Sequence, residues 1–247
     1  TTAAALGAAL DADMIEIYTD VDGIMTADPR MVTTAKILDC ISYGEVCQLA
    51  HQGAKVIHPR AVEIAMQKNI PLVVKSTFSN AVGTLITNIT QETSAETSVN
   101  DRIATGVTSI SNIAQIKITL HDTSNNTASF NIFKSMSDNG ISVDLINVHP
   151  GQIMFTVAEE LAEKATMKLN EFGCDVKTTF GCAKVSVVGG GINGVPGVMA
   201  NFIEALASNH IPILQTVDSH TSISVLIEKS FVKLAVTALH EKFNLSC

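Results

Sequence analysis

This 247-residue chain contains no tryptophan, and aromatic residues make up only 4% of it. Basic residues are also scarce: 16 Lys plus Arg face 24 Asp plus Glu, for a formal net charge of -8. A nucleic-acid surface needs a basic cluster with aromatics beside it, so both deficits argue against that class of partner. Long apolar runs are missing as well. The apolar stretches are short and broken by charge, which argues against a membrane span, and Thr1-Thr2-Ala3-Ala4-Ala5-Leu6 lacks the basic start of a secretory signal. A cytoplasmic location is expected. The five cysteines, Cys40, Cys47, Cys174, Cys182 and Cys247, are odd in number and form no Cys-x-x-Cys pair, and no His cluster stands at zinc spacing. Reduced thiols and no metal site follow. Cys40 and Cys182 border apolar strands and read as small buried hydrophobes.

What is present is 46% hydrophobic content, enough for one large domain or two to three small ones. The densest local signal runs from Glu16 to Arg30. Ile15, Ile17 and Val21 supply the apolar positions of a short buried strand. Asp22-Gly23 and Asp28-Pro29 then force tight turns, and Arg30 is expected to point away from them. In open α/β sheets, ligands sit outside the carboxyl ends of the strands, which is where Thr19 and Asp20 fall.

From Thr1 to Asn88, helix and strand patterns alternate. An Ala-rich helix opens the chain, followed by a strand over Met14 to Thr19, helices over Ser42 to His51 and Arg60 to Asn69, and a strand over Leu72 to Lys75. That alternation predicts an α/β layer. The polar, Thr/Ser-rich run around 89–102 predicts a linker. Beyond it lies an internal repeat. The segment Ile132 to Ile141 aligns without gaps on Phe202 to Ile211, about 70 residues later, a small-domain period. Around each copy the pattern is strand, helix, strand, strand, helix, the ferredoxin-like split unit. In the second copy, Gly189-Gly190-Gly191-Ile192-Asn193-Gly194 satisfies G-x-G-x-x-G. A dinucleotide site needs a parallel next strand ending in an acidic residue, whereas the repeat demands a hairpin through Asp218-Ser219-His220-Thr221.

Three pieces in order, Glu16-Ile17-Tyr18-Thr19-Asp20-Val21-Asp22-Gly23, Asp28-Pro29-Arg30 and Gly53-Ala54-Lys55-Val56-Ile57-His58-Pro59-Arg60, resemble the C-terminal half of an aspartokinase catalytic domain. Pro71 to Ser76 and Gly83 to Ile86 extend the resemblance, and the repeat resembles that family's tandem ACT regulatory domains. The implied fold class is α/β, a partial amino-acid-kinase sandwich over 1–88, followed by two α+β ferredoxin-like ACT domains at 103–181 and 182–247. The two ACT domains are expected to interleave through a strand near 104–109.

The resemblance implies further that Thr19 and Asp20 contact a nucleotide, that Met25, Thr26, Ala27, Asp28, Pro29 and Arg30 line its site, and that Lys55 approaches the phosphates. Phosphoryl transfer needs positioning and positive charge rather than covalent catalysis, and Arg30 and Lys55 supply charge of that kind. The alternative for Asp28-Pro29-Arg30 is a surface turn with a local ion pair. His58 before Pro59 is expected to be structural. In the first ACT copy, Asp122, Asn125, Ser129, Val143, Asp144 and His149 are implied to face an amino-acid effector at a dimer interface, with Asp144 pairing an ammonium group; the alternatives are a capped strand-end turn for Asp144 and an Asx turn for Asp122. In the second copy, Asn193, Val195 and Asp218 flank a helix N-terminus suited to a carboxylate. The implied ligands are ATP with Mg2+, L-aspartate, and lysine or meso-diaminopimelate as effector, in a homodimer. The family's Lys-Phe-Gly-Gly-type and Arg-Gly-Gly-Ser-Asp-Thr-Thr-type segments do not occur in these 247 residues, so the chain alone is expected to lack turnover. The rival reading is a non-enzymatic ACT regulatory subunit. A kinase acting on glutamate or acetylglutamate is disfavoured by the tandem repeat and by Tyr18 to Gly23.

Overall fold

The computed structural model describes residues 1–88, 102–120, 126–192 and 194–246. All of the expected linker except Arg102 lies outside the described residues. So do Asp122, Asn125, Asn193 and Cys247.

The first unit comprises α1 (Thr2–Ala9), β1 (Ile15–Thr19), β2 (Cys40–Ser42), α2 (Tyr43–His51), α3 (Pro59–Lys68), β3 (Leu72–Ser76) and β4 (Thr84–Thr87). Its sheet runs in the order β1-β3-β4-β2. The β1 and β3 strands are parallel with Ile15 opposite Leu72 and Thr19 opposite Ser76, and β4 is antiparallel to β3 and parallel to β2. Leu72, Val73 and Val74 are consecutive buried residues, the run expected of a strand covered on both faces. Ile15, Leu72, Val74 and Ile86 share one core with Ala4 of α1, Val46 and Leu49 of α2, and Val62 and Ala65 of α3. The start of α2 is set by a reciprocal Ser42–Glu45 capping box, and that of α3 by His58, whose Nδ1 accepts from Arg60 N at 3.1 Å beside Pro59 at the first helical position. His58 thus acts as a helix cap. The sequence pattern predicts β1, β3, α2 and α3 to within one or two residues, but neither the three-residue β2 nor β4.

The second part is one six-stranded antiparallel sheet in the order β6-β7-β5-β8-β10-β9, built from β5 (Gly106–Thr119), β6 (Asp144–His149), β7 (Gln152–Ala158), β8 (Asp175–Val188), β9 (Gln215–Asp218) and β10 (Ser222–Glu228). Helices α4 (Asn126–Asp138), α5 (Ala162–Asn170), α6 (Val198–Ser208) and α7 (Val232–Lys242) pack against it. The two longest strands, β5 and β8, have 14 residues each and are shared between the repeats. The second half of β5 opens the first copy, which is closed by the first half of β8 through Thr119 opposite Asp175. The second half of β8 opens the second copy, which is closed by the first half of β5 through Gly106 opposite Val188. Each copy is therefore βαββαβ, and each takes its last strand from the strand that begins the other. Near the crossover, Asn112 (φ 62°) and Gly181 (φ 67°) bend the ladder. The division placed between 181 and 182 falls at that bend, in the middle of β8.

Each copy has its own core. Ile116, Ile118, Ile132, Met136 and Phe155 fill the first, and Val185, Val187, Phe202, Leu206 and Val225 the second. Ala27 and Val32 of the first unit belong to the second copy's core, and Val188 of β8 belongs to the first unit's core, so the parts are fused by packing. Cys40 and Cys182 are buried, and the described cysteines are free thiols. Among the described residues, no helix is long and apolar enough to cross a membrane, and no three His, Cys, Asp or Glu side chains group to hold a metal ion.

The glycine-rich run after β8 has a structural cause. The 102–104 backbone lies against it: a Cβ on Gly189 would collide with the Ile103 carbonyl oxygen and come 2.6 Å from Ala104 Cα, and one on Gly191 would sit 3.0 Å from Ile103 Cα. The strand after α6 is β9, which runs in the direction of β8 but is separated from it by the antiparallel β10, so the adjacent parallel pair of a dinucleotide site is not formed. Gly189→Ala is expected to destabilise the chain by about 1–3 kcal/mol, because backbone atoms must move to admit the methyl group. At Gly190 the nearest atom is Glu45 Oε1 at 3.7 Å, and Ala there is expected to change stability by no more than about 0.5 kcal/mol. Urea denaturation of both variants checks the pair, and equal losses would refute the packing argument.

Candidate functional site

Parallel pairing of β1 with β3 brings Thr19 and Ser76 to the same carboxyl edge of the first sheet. Thr19 Oγ1 accepts from Val21 N at 3.0 Å, and its carbonyl accepts from Thr77 N at 2.8 Å and from Thr77 Oγ1 at 3.1 Å, which ties the two strand ends together. Asp20 follows, exposed, and Asp22 accepts from Ser79 Oγ at 2.5 Å. The edge is therefore a short polar shelf made by two loops. Beside it, Phe78 and Val82 are 84% and 87% exposed. The sequence reading passed over this second loop, although a Ser-Thr-Phe-Ser run directly after a buried apolar strand carried the signal.

The segment from Met25 to Arg30 divides in two. Met25 is half-buried and forms an isolated antiparallel bridge with Ile37. Thr26 and Ala27 turn away from the shelf. Thr26 N donates to Lys36 O, its carbonyl accepts from Val107 N at 2.8 Å, and its hydroxyl accepts from Lys36 N at 3.0 Å and bonds His240 Nε2 at 2.8 Å. With every polar group engaged, Thr26 is a joint between the first unit and α7 and has none left to line a nucleotide site. Ala27 is buried in the second copy's core. Pro29 is exposed. Arg30 does not point away from its turn: its guanidinium folds back on Asp28 in a two-pronged pair, 2.7 Å at the shortest contact, and its N–H also caps Asp28 Oδ1. The Arg30 guanidinium, aided by its backbone N–H, holds the Asp28 carboxyl below the usual range against a smaller opposing effect of burial. Arg30 is nevertheless 88% exposed, so its charge stays available to an incoming anion. Lys55 is exposed in the turn between α2 and α3 and has no ion-pair partner among the described residues.

Of the residues assigned to an effector, those described are not gathered at one point. Asp144 and His149 are the first and last residues of β6, on the order of 15 Å apart along an edge strand. Ser129 is half-buried on α4, and Val143 packs at the margin of the first copy's core. Val195 is exposed before α6, and Asp218 is exposed at the end of β9. Asp144 already has an ammonium partner: Oδ2 accepts from Lys184 Nζ of β8, while Oδ1 accepts from Leu145 N at 2.8 Å. Burial raises the carboxyl's proton affinity, but the Lys184 ammonium and the Leu145 N–H outweigh that and hold it below the ordinary range. The Lys184 side chain is only 5% exposed. Next to this pair, Gln115 Nε2 donates to Gln215 Oε1 at 2.9 Å, and Gln215 donates to Asn147 Oδ1 at 2.6 Å and to the Leu145 carbonyl. A lysine inside the apolar run Ala183-Lys184-Val185 was the sequence signal for this buried polar junction.

His240, fully buried on α7, bonds Thr26 through Nε2 and lies 3.5 Å from Ser246 Oγ through Nδ1. Burial pushes its proton affinity down, and the nearby Glu241 offsets this only in part. An imidazole depressed in the folded state is neutral in both states at high pH. As pH falls below about 6.5, the unfolded chain takes up the proton first, so stability is lost on acidification. The urea midpoint of the wild type is expected to fall more steeply than that of His240→Gln between about pH 6.5 and 5. Parallel curves would refute a buried neutral His240.

The amino acid kinase family model matches residues 1–76, and an ACT domain model matches residues 177–241. Aspartokinase 1 of Bacillus subtilis (strain 168) is 49% identical over 246 residues, covering 100% of this chain and 60% of that protein. The chain spans about 60% of the length of the curated relatives it matches. Among solved structures, the aspartate kinase of Clostridium acetobutylicum superposes with a TM-score of 0.89 at 25% identity, over 98% of this chain and 57% of that one. Aspartokinase III of E. coli in complex with aspartate and ADP superposes with a TM-score of 0.83 at 28% identity, over 98% and 54%, and its complex with lysine and aspartate with 0.80. The regulatory subunit of aspartate kinase from Thermus thermophilus is 31% identical with a TM-score of 0.53, over 57% of this chain and 99% of that subunit.

Proposed function

Because this chain belongs to the aspartokinase family, we propose that it is the nucleotide-side and regulatory portion of an enzyme that transfers the γ-phosphoryl group of MgATP to the side-chain carboxylate of L-aspartate. The observation that carries this reading is the polar shelf at the carboxyl ends of β1 and β3, with Lys55, unpaired among the described residues, and the exposed Arg30 in the same unit. In phosphoryl transfer the protein positions the nucleotide and neutralises charge on the transferring group, and Thr19, Asp20, Lys55 and Arg30 suit those tasks. Binding of aspartate and ADP by the E. coli relative supports the substrate pair. Its lysine complex supports an amino-acid effector, with lysine or meso-diaminopimelate as the candidates here.

We divide the chain into a catalytic portion at 1–88 and interleaved ACT units at 103–181 and 182–247. The free thiols of the described cysteines support a reducing, cytoplasmic setting. The unpaired outer edge of β6 supports a homodimer formed through the ACT sheet. A second reading, a regulatory subunit without catalysis of its own, is favoured by the match to nearly the whole Thermus subunit.

In a coupled ADP-release assay with aspartate and MgATP, the isolated chain is expected to stay at background, and turnover above background would overturn that expectation. Calorimetric titration of the chain with lysine, meso-diaminopimelate and threonine in turn is expected to give saturable heat for one of the first two. Heat from none of the three would remove the sensor role.

A further inference from the structure

The side of α2 turned from the first unit's core is bonded to the ACT sheet. Val46 and Leu49 bury inward, while Glu45, Gln48 and Gln52, spaced three and four residues apart, form one stripe along the helix and its C-cap. Gln48 Nε2 donates to Ser222 Oγ of β10 at 3.1 Å. Ser186 Oγ of β8 stands 3.2 Å from Gln52 Oε1 and 2.8 Å from Ser224 Oγ of β10. Glu45 Oε1 accepts from Thr105 Oγ1 and from Gly190 N at 3.3 Å. The face of β8 and β10 that meets the helix is thus a row of hydroxyls matched to the Gln48 and Gln52 amides, with the Glu45 carboxylate held by Thr105 and Gly190 just beyond the strands. Neutral amide–hydroxyl bonds can loosen and re-form without stranding a charge, a property suited to a moving joint.

The turn that follows α2 is pinned to the same sheet. Gly53 (φ 118°) lies so close to β5 that a Cβ there would be 2.5 Å from Ser109 O, and Ala54 N returns to Leu49 O at 2.9 Å. Lys55 comes next in the chain. It is three residues past the last side chain bonded to the ACT sheet, with a glycine wedged against β5 between them.

We infer that the Glu45–Gln48–Gln52 stripe, seated on the hydroxyl row of β8 and β10, positions Lys55, so that the regulatory sheet sets the place of the ammonium group used on the phosphates. This rests on the aspartokinase reading for the task given to Lys55. Glu45, Gln48 and Gln52 are positioning residues and touch no reacting atom. A shift of the ACT sheet moves α2 and reaches Lys55 through the pinned turn, because packed elements pass small displacements on rather than absorb them.

The first test is hydrogen exchange on this chain carrying Ser186→Ala and Ser222→Ala. The amides of Gly53 and Ala54 are expected to exchange about five-fold faster or more, while those of β1 stay unchanged. Unchanged protection in the turn would overturn the inference. The second test is kinetic, in a full-length aspartokinase containing this chain. The same serine pair, and separately Gln48→Ala with Gln52→Ala, are expected to raise KM for MgATP about three- to ten-fold with KM for aspartate unaltered, and the four changes together to do no more than either pair. An unchanged KM for MgATP, or equal rises for both substrates, would also overturn it. If the unaltered full-length protein has no turnover, the aspartokinase reading and the phosphate task of Lys55 fall together, while a positive exchange result still shows that the sheet holds the turn.

Discussion

The antiparallel ladder between β5 and β8 is the constraint on which the rest of the molecule depends. Neither repeat can complete its four-stranded sheet alone, because Gly106 to Ser111 closes the second copy and Asp175 to Thr179 closes the first. An ordinary pair of tandem domains pays for each core separately; here both cores hang on one long pairing whose outermost partners, Gly106 and Val188, are far apart in sequence. Contacts of that range are costly in loop-closure entropy, so this pairing is expected to form slowly. The first unit is attached at the end of this ladder: Val107 N donates to Thr26 O, Thr105 N to Val188 O, and Val188 belongs to the first unit's core. A displacement along β8 is therefore felt in both sheets.

The cores are apolar, and the joints between them carry buried polar bonds beside their apolar packing. Thr26 with His240, Lys184 with Asp144, Gln115 with Gln215, and the serine row under α2 all lie where one unit meets another. A hydrophobic joint would hold more tightly, yet sliding it would expose apolar surface. A hydrogen-bonded joint can exchange partners at small net cost if every group keeps one, and it specifies one seating because each unpaired buried group is expensive. That balance suits a joint with two seatings, since a ligand shifts such an equilibrium only by its difference in affinity between them.

How much of this was legible in the sequence followed the range of the interactions. The strand alternation of Ile15 and Ile17, the helical pattern over Ser42 to His51, and the repeated helix of Ile132 to Ile141 and Phe202 to Ile211 are local patterns, and the structure contains the elements they predict. What was not legible depended on remote partners. The G-x-G-x-x-G spacing is visible in the sequence, but its cause is the approach of the 102–104 backbone. Thr26 sits in the middle of a family motif, yet its hydroxyl is claimed by a histidine from α7. Arg30 is the opposite case, because its partner is two residues away and the local ion pair held as the alternative is the one that forms.

The Lys184–Asp144 pair bears directly on how an ammonium-bearing effector can act. Lys184 is nearly sealed from solvent, and taking away its one carboxylate partner among the described residues would leave a buried charge unpaired, which costs on the order of 3–5 kcal/mol. An effector binding that strongly against such a penalty is implausible unless the sheet shifts and gives Lys184 another acceptor. Asp144, however, is 62% exposed on its other side, and a carboxylate accepts several hydrogen bonds. An incoming ammonium group at the edge of β6 therefore shares the carboxylate with Lys184 at low cost, or displaces Lys184 only together with movement of β8. In the second case β8 would have to move with Lys184, and β8 is the strand that also carries Ser186 beneath α2.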